Sequence, residues 1–221
     1  MPRPLHILIP FKLCGAKSRL ASILSPQERE LLALSMLEDV LAAISGLGNV
    51  TILARTGMDA SHFAMPLEVV ISDLDLNQAL NAFLQDMVRG GWQEDLLIVM
   101  SDLALLTRED LTGMVMLEGD VVLTPGRGGG TNMILVRNPQ FQTCYEGLSF
   151  PRHLAAARRL GLQVGIFYSY LAGCDIDEPQ DLAEVLLHGK GKAAGALRGL
   201  GLAVSEEGGG IPVRKKMQIE P

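Results

Sequence analysis

Asp102 stands behind the apolar run Leu96-Leu97-Ile98-Val99-Met100, and a carboxylate at the end of a buried strand can hold a hard divalent cation while leaving positions open for phosphate oxygens. Asp175-Ile176-Asp177 repeats that placement after a second predicted strand. Alternate side chains of extended chain point to one side, so both carboxylates can approach one cation. Each residue also has a plainer use, because a strand-ending aspartate caps the next turn and Asp177 can serve as N-cap of a helix entered near Glu178. Gly15-Ala16-Lys17-Ser18-Arg19 follows the first apolar run and would set backbone N–H groups and two cations at the carboxyl edge of a sheet, where open α/β sheets bind ligands. It is not a phosphate loop of the Walker type: Ala16 separates Gly15 from Lys17, and Pro10 stands where the earlier glycine belongs. Solvated loop charges are the alternative for Lys17 and Arg19. In Gly126-Arg127-Gly128-Gly129-Gly130-Thr131 the consecutive glycines let the backbone approach an anion, which Arg127 and the Thr131 hydroxyl suit; a flexible hairpin tip is the competing reading.

Other residues offer less chemistry. His153, four positions past Ser149 in a first helical turn, is open to two readings, substrate binding and the plainer one of a satisfied surface histidine, and no Ser/His/Asp relay is visible. The four histidines lack ligand spacing, which argues against zinc. The segment from Gly189 to Gly195 has the wrong spacing for a dinucleotide fingerprint and no strand before it, so it reads as a helix end and linker.

Short apolar runs alternating with helical-period segments predict an α/β layer on a mostly parallel sheet. Strands are predicted at Leu5 to Ile9, Asn49 to Ala54, Leu67 to Ile71, Leu96 to Met100, Asp120 to Leu123, Met133 to Val136 and Val164 to Tyr170. Helices are predicted after the N-cap Ser25 with Pro26 in the first turn, over Leu76 to Val88, after Thr107 with Asp110 at N3, over Phe150 to Leu160, and over Glu178 to Leu187. One domain over residues 1–188 is expected, with residues 189–221 as its peripheral tail.

With 221 residues, 48% of them hydrophobic and 20% charged, the chain can bury a core of ordinary size. Its 19 basic and 25 acidic residues leave a net charge of −6, which disfavours bulk nucleic-acid or anionic-membrane binding but not a local anion pocket. The three cysteines, Cys14, Cys144 and Cys174, show no C-x-x-C spacing, so neither a disulfide framework nor a thiolate site is expected. With no export or membrane-spanning segment read, a cytoplasmic protein is expected.

The ordered set IPFKLCGAKSRLA (9–21), LSPQERELLALSMLEDVL (24–41), DLNQALN (75–81), IVMSDLALL (98–106), PGRGGGTN (125–132), YEGLSF (145–150) and CDIDEPQDL (174–182) closely resembles the 2-phospho-L-lactate guanylyltransferase family of coenzyme F-420 biosynthesis, and its archaeal branch in particular. The resemblance covers almost the whole chain. It implies a Rossmann-like nucleotidyltransferase fold of the GT-A-like kind, a mostly parallel mixed sheet flanked by helices. It further implies GTP as substrate, Mg²⁺ as cofactor, small-molecule partners and a homodimer. Carried over by motif, Asp102, Asp175 and Asp177 match metal-binding carboxylates; Thr131, Gly147 and Ser149 match the pocket for the phosphorylated three-carbon acid. Gly15, Lys17 and Arg19 match the loop that meets the nucleotide phosphates, and Asn77 and Asn81 match a segment near the base. Two departures stand out: Ala104 occupies a common proline position, and Glu146 replaces a glycine found in bacterial relatives that use phosphoenolpyruvate.

A phosphate monoester is already an anion near neutral pH, so it needs no general base to attack the α-phosphorus of GTP. The lack of a catalytic histidine fits that chemistry. Rival readings are a guanylyltransferase for phosphoenolpyruvate, 3-phosphoglycerate or the molybdopterin cofactor, and a catalytically silent nucleotide-binding protein.

Overall fold

The computed structural model describes residues 3–13, 15–205 and 212–214. Cys14 and the tail segments 206–211 and 215–221 lie outside them. In chain order the elements are β1 (Leu5–Phe11), α1 (Pro26–Ile44), β2 (Asn49–Ala54), β3 (Glu68–Ile71), α2 (Leu76–Arg89), β4 (Asp95–Val99), α3 (Arg108–Met116), β5 (Val121–Pro125), β6 (Thr131–Val136), α4 (Ser149–Arg159), β7 (Val164–Ile166), α5 (Asp181–His188), α6 (Lys192–Gly199), β8 (Leu202–Val204) and β9 (Pro212–Arg214).

Seven strands form one sheet in the order β3-β2-β1-β4-β6-β5-β7. All pairings are parallel except those of β6, which runs against both β4 and β5. The crossover direction reverses between β1 and β4, and that is the place where an open α/β sheet leaves a crevice outside its carboxyl ends. The central strands are apolar on both faces because helices cover both: Ile7, Ile9, Leu97 and Val99 pack with Leu37, Val40 and Ile44 of α1, while Leu8, Leu96 and Ile98 pack with Leu80 and Leu84 of α2 and Ala157 of α4.

Local signals start the helices where the sequence places them. Ser25 accepts from the Glu28 amide while the Glu28 carboxylate accepts from the Ser25 amide, with Pro26 at N1; Thr107 and Asp110 repeat the box at α3. Such caps are each worth roughly 1 kcal/mol.

Three expectations change. The strand predicted over Val164 to Tyr170 stops at Ile166, and Tyr168 and Tyr170 are exposed. The helix predicted from Glu178 begins at Asp181, because the Asp181 carboxylate accepts the amides of Asp177 and Glu178 and holds 177–180 as a turn. The segment expected to trail as linker and periphery contains α6, whose Ala193, Ala194 and Leu197 are fully buried. Asp39 of α1 caps that helix by accepting from the Lys192 and Ala193 amides at 2.6 and 2.9 Å, and Gly191 makes the approach possible, since a Cβ there would lie 2.2 Å from the Asp39 carboxylate. No helix among the described residues is long and apolar enough to cross a membrane.

Candidate active site

The turn after β1 carries Lys17 with φ 53°, ψ 42°, a left-handed backbone that a non-glycine residue adopts at a cost of order 1 kcal/mol. That conformation sends its side chain inward. Nζ donates to Asp102 at 2.7 Å and to Asp177 at 2.8 Å, so one ammonium joins the end of β4 to the segment before α5. Burial works against the Lys17 charge, but Asp102 and Asp177 beside it more than offset that and hold its pKa above the ordinary lysine value. Asp177 is therefore no helix cap. Its other oxygen faces Arg19 at 3.6 Å, and Arg19, well exposed, also lies 3.5 Å from Glu178.

Asp175 accepts from Asn132 Nδ2 at 3.3 Å, and the same Asn132 nitrogen donates to the Ala172 carbonyl at 3.0 Å. Burial, then the neighbouring charge of Asp102, raises the Asp175 pKa. The second oxygen of Asp102, Oδ1, is buried with no hydrogen-bond partner among the described residues. Among those residues no three Asp, Glu, His or Cys side chains converge as a ready cation cage; the three predicted carboxylates are neighbours, with the Lys17 ammonium between two of them.

A cavity of about 340 Å³ opens beside this cluster, beyond the carboxyl ends of β1, β2 and β4, with Phe11, Leu53, Leu74, Leu76, Ala79 and Met100 on its apolar wall and Lys17 at its lining. Apolar walls with a few convergent polar groups suit a planar base carrying a charged tail. α2 meets the cavity through Leu76 and Ala79. Asn77 and Asn81 turn elsewhere: Asn77 Oδ1 accepts from the Tyr145 amide at 2.5 Å, and the Asn81 amide group exchanges hydrogen bonds with Thr143 at 2.8 to 3.1 Å. They pin the segment that leads into α4.

That segment builds the second half of the site. The glycine loop between β5 and β6 closes on itself through Gly126 N to Gly130 O at 2.9 Å and Gly129 N to Gly126 O at 3.1 Å, and the Gly129 carbonyl accepts from the Phe150 amide of α4. A Cβ on Gly126 would lie 2.5 Å from Asn132 and 2.9 Å from Asp175, so this position must be glycine for the strand and the acidic segment to meet. Thr131 and Ser149 come together, with Ser149 Oγ donating to Thr131 Oγ1 at 3.1 Å, and Gly147 lies exposed two residues before α4. His153 is not on the surface. It is fully buried, with Nδ1 2.8 Å from Thr131 Oγ1 and Nε2 accepting from the Cys144 amide at 2.7 Å, and burial lowers its pKa to about 4. Arg127, expected to face an anion, instead pairs with Asp181 at 2.8 Å and Glu184 at 3.6 Å on α5. Cys144 and Cys174 are free thiols, and burial pushes the Cys174 thiol up to about 12, far from a nucleophile at neutral pH.

The residues missed by sequence reasoning are Asn132, Tyr145 and the buried role of His153. Spacing carried part of that information, because Ser149 and His153 stand four apart on one helix face.

Residues 5–218 match the family described as "Guanylyl transferase CofC like". The chain belongs to that family. Its relatives include a 2-phospho-L-lactate guanylyltransferase of Methanothrix thermoacetophila, 49% identical over 95% of each chain, and one of Archaeoglobus fulgidus, 42% identical over 92% of this chain and 94% of the other. Among solved structures, a nucleotidyl transferase from Methanothermobacter thermautotroptrophicus superposes with TM-score 0.61 at 17% identity, covering 84% and 97% of the two chains. A 4-diphosphocytidyl-2C-methyl-D-erythritol synthase gives 0.57 at 14%, covering 85% and 98%. The family fold is thus the nucleotidyltransferase fold expected from the motifs.

Proposed function

We propose that this protein transfers GMP from GTP to the phosphate of 2-phospho-L-lactate, forming lactyl-2-diphospho-5'-guanosine and pyrophosphate. The observation that carries the reading is the pairing, along one sheet edge, of an apolar cavity lined by Lys17, whose ammonium holds Asp102 and Asp177, with a buried hydroxyl pair at Thr131 and Ser149. Relatives named for this reaction match nearly the full chain at 49% and 42% identity.

In this reading the cavity takes the guanine, and Gly15, Lys17 and Arg19 meet the triphosphate. Lys17, already fully charged and held inward, needs only to exchange a carboxylate partner for a phosphate oxygen. Thr131, Gly147 and Ser149 seat the acid so that an oxygen of its phosphate attacks the α-phosphorus; a P–O bond to the acceptor forms as the bond to pyrophosphate breaks. The acceptor brings its own negative charge, so no side chain has to remove a proton, and positioning with charge neutralisation carries the rate. Asn77 and Asn81 contribute by fixing 143–145, the approach to the acceptor recess.

Asp102, Asp175 and Asp177 would hold Mg²⁺. The fit rests on the all-oxygen donor set, which suits a hard cation, and on the buried Asp102 Oδ1, which has no hydrogen-bond partner among the described residues. When bound, the cation would neutralise charge on the transferring phosphoryl group. A cytoplasmic homodimer completes the proposal, and sedimentation of the purified protein tests the dimer.

The deciding experiment mixes protein, Mg²⁺ and GTP with 2-phospho-L-lactate, phosphoenolpyruvate or 3-phosphoglycerate and follows pyrophosphate release and product mass. Release with phospholactate at the mass of the guanosine diphosphate adduct is expected. Turnover confined to another acceptor, or none with any, would contradict the proposal.

A further inference from the structure

We infer that His153 is a positioning residue of the acceptor recess: held by the Cys144 amide with its proton on Nδ1, it donates to Thr131 and thereby leaves one hydroxyl hydrogen of the Thr131–Ser149 pair for an anionic oxygen of the acceptor. The inference rests on the reading of that recess as the seat of the phosphorylated acid.

A count of protons supports it. A backbone amide only donates, so the Nε2 that lies 2.7 Å from the Cys144 nitrogen must offer its lone pair. A neutral imidazole then carries its single proton on Nδ1, 2.8 Å from Thr131 Oγ1. Thr131 Oγ1 is therefore an acceptor in that contact. The Ser149–Thr131 contact at 3.1 Å consumes one of the two hydroxyl hydrogens, and among the described residues the other has no acceptor. With the opposite tautomer the Thr131 hydrogen would go to Nδ1, the recess would offer no donor, and the Cys144 amide would lose its partner. One backbone amide thus decides which way the polarity of the recess runs.

Burial makes that polarity count. His153 is 0%, Thr131 3% and Ser149 4% exposed, so water has little access to the spare hydrogen, and a ligand oxygen would recover what the unspent group costs. Ring contacts fix the imidazole plane, with Tyr145 edge-on at 4.8 Å and Phe141 at 6.0 Å. Gly147 and Leu148, just before Ser149, are exposed.

The test joins kinetics to spectroscopy. His153→Phe keeps the ring volume and removes both nitrogens; His153→Asn keeps a short polar group that can still donate toward Thr131. In the pyrophosphate assay His153→Phe should raise the phospholactate KM about tenfold, because the Thr131 hydroxyl loses the donor that orients it and the Cys144 amide loses its buried acceptor, with the GTP KM within about twofold. His153→Asn should recover most of that loss. An unchanged phospholactate KM in His153→Phe, or equal rises in both KM values, would overturn the inference. Nitrogen NMR of histidine-labelled wild-type protein should show the proton on Nδ1, and a proton on Nε2 would overturn it even where His153→Phe does not fold. The functional reading fails separately, through a wild-type protein that releases no pyrophosphate, and in that event the NMR result still decides the tautomer.

Discussion

At the carboxyl ends of β1 and β4, Lys17 lies 2.7 Å from Asp102 and 2.8 Å from Asp177, charge against charge. At the head of β6, Thr131, Ser149 and His153 make contacts of 2.8 and 3.1 Å with no formal charge among them. The first arrangement is strong but exchangeable, because a triphosphate offers Lys17 the same kind of partner it already has. The second is tuned by direction alone: neutral donors in a buried recess gain from low dielectric without the desolvation cost of a buried ion. In the proposed function two negative substrates would meet two kinds of surface, and changes to either should leave distinct marks.

The largest effect is expected in the charged half. Asp102→Asn removes the charge that faces Lys17 and the proposed cation, and kcat should fall roughly 10²- to 10³-fold, the scale on which preorganised charge at phosphoryl transfer is felt. Circular dichroism should show an intact fold. A variant with full turnover would break the division between the halves at its strongest point.

Next in size is a pH effect that belongs to the neutral half. His153 has a folded pKa near 4 against 6.5 unfolded, so between these values the unfolded chain binds more protons. Its contribution to stability is fully present above about pH 6.5 and is lost as the pH falls toward 4, in total about 3 kcal/mol. Urea unfolding at pH 5 should give a free energy about 2 kcal/mol below that at pH 7.5, and His153→Asn should lack this component. Equal pH dependence in both proteins would mean that His153 titrates as an exposed group.

The smallest effect is expected at Arg127. Its partly exposed pairs with Asp181 and Glu184 on α5 are worth less than about 1 kcal/mol, so Arg127→Ala should change the GTP KM by no more than about twofold. A tenfold rise would show that this arginine leaves α5 to join the nucleotide, and would enlarge the charged half.

Much of this organisation was legible in the sequence, for reasons that are local. The β1 and β4 apolar runs, the Ser25–Glu28 and Thr107–Asp110 boxes and the glycine cluster before Thr131 carry their instructions within a few residues. What escaped depends on distant partners. The start of α6 is set by Asp39, some 150 positions earlier; the late start of α5 follows from which amides the Asp181 carboxylate finds. The left-handed Lys17 has no local signature, and its inward turn makes sense only once Asp102 and Asp177 are in place. His153 looks like a surface residue until Phe141 and Tyr145 fold over it.

The division of the site is tested most directly by the two Michaelis constants of Thr131→Val. The substitution keeps the side-chain volume and deletes the hydroxyl on which the neutral half converges, while touching nothing in the charged half. The phospholactate KM should rise about tenfold or more with the GTP KM within about twofold. Constants that rise together, or a phospholactate KM that stays where it was, would contradict a site built from two separate halves.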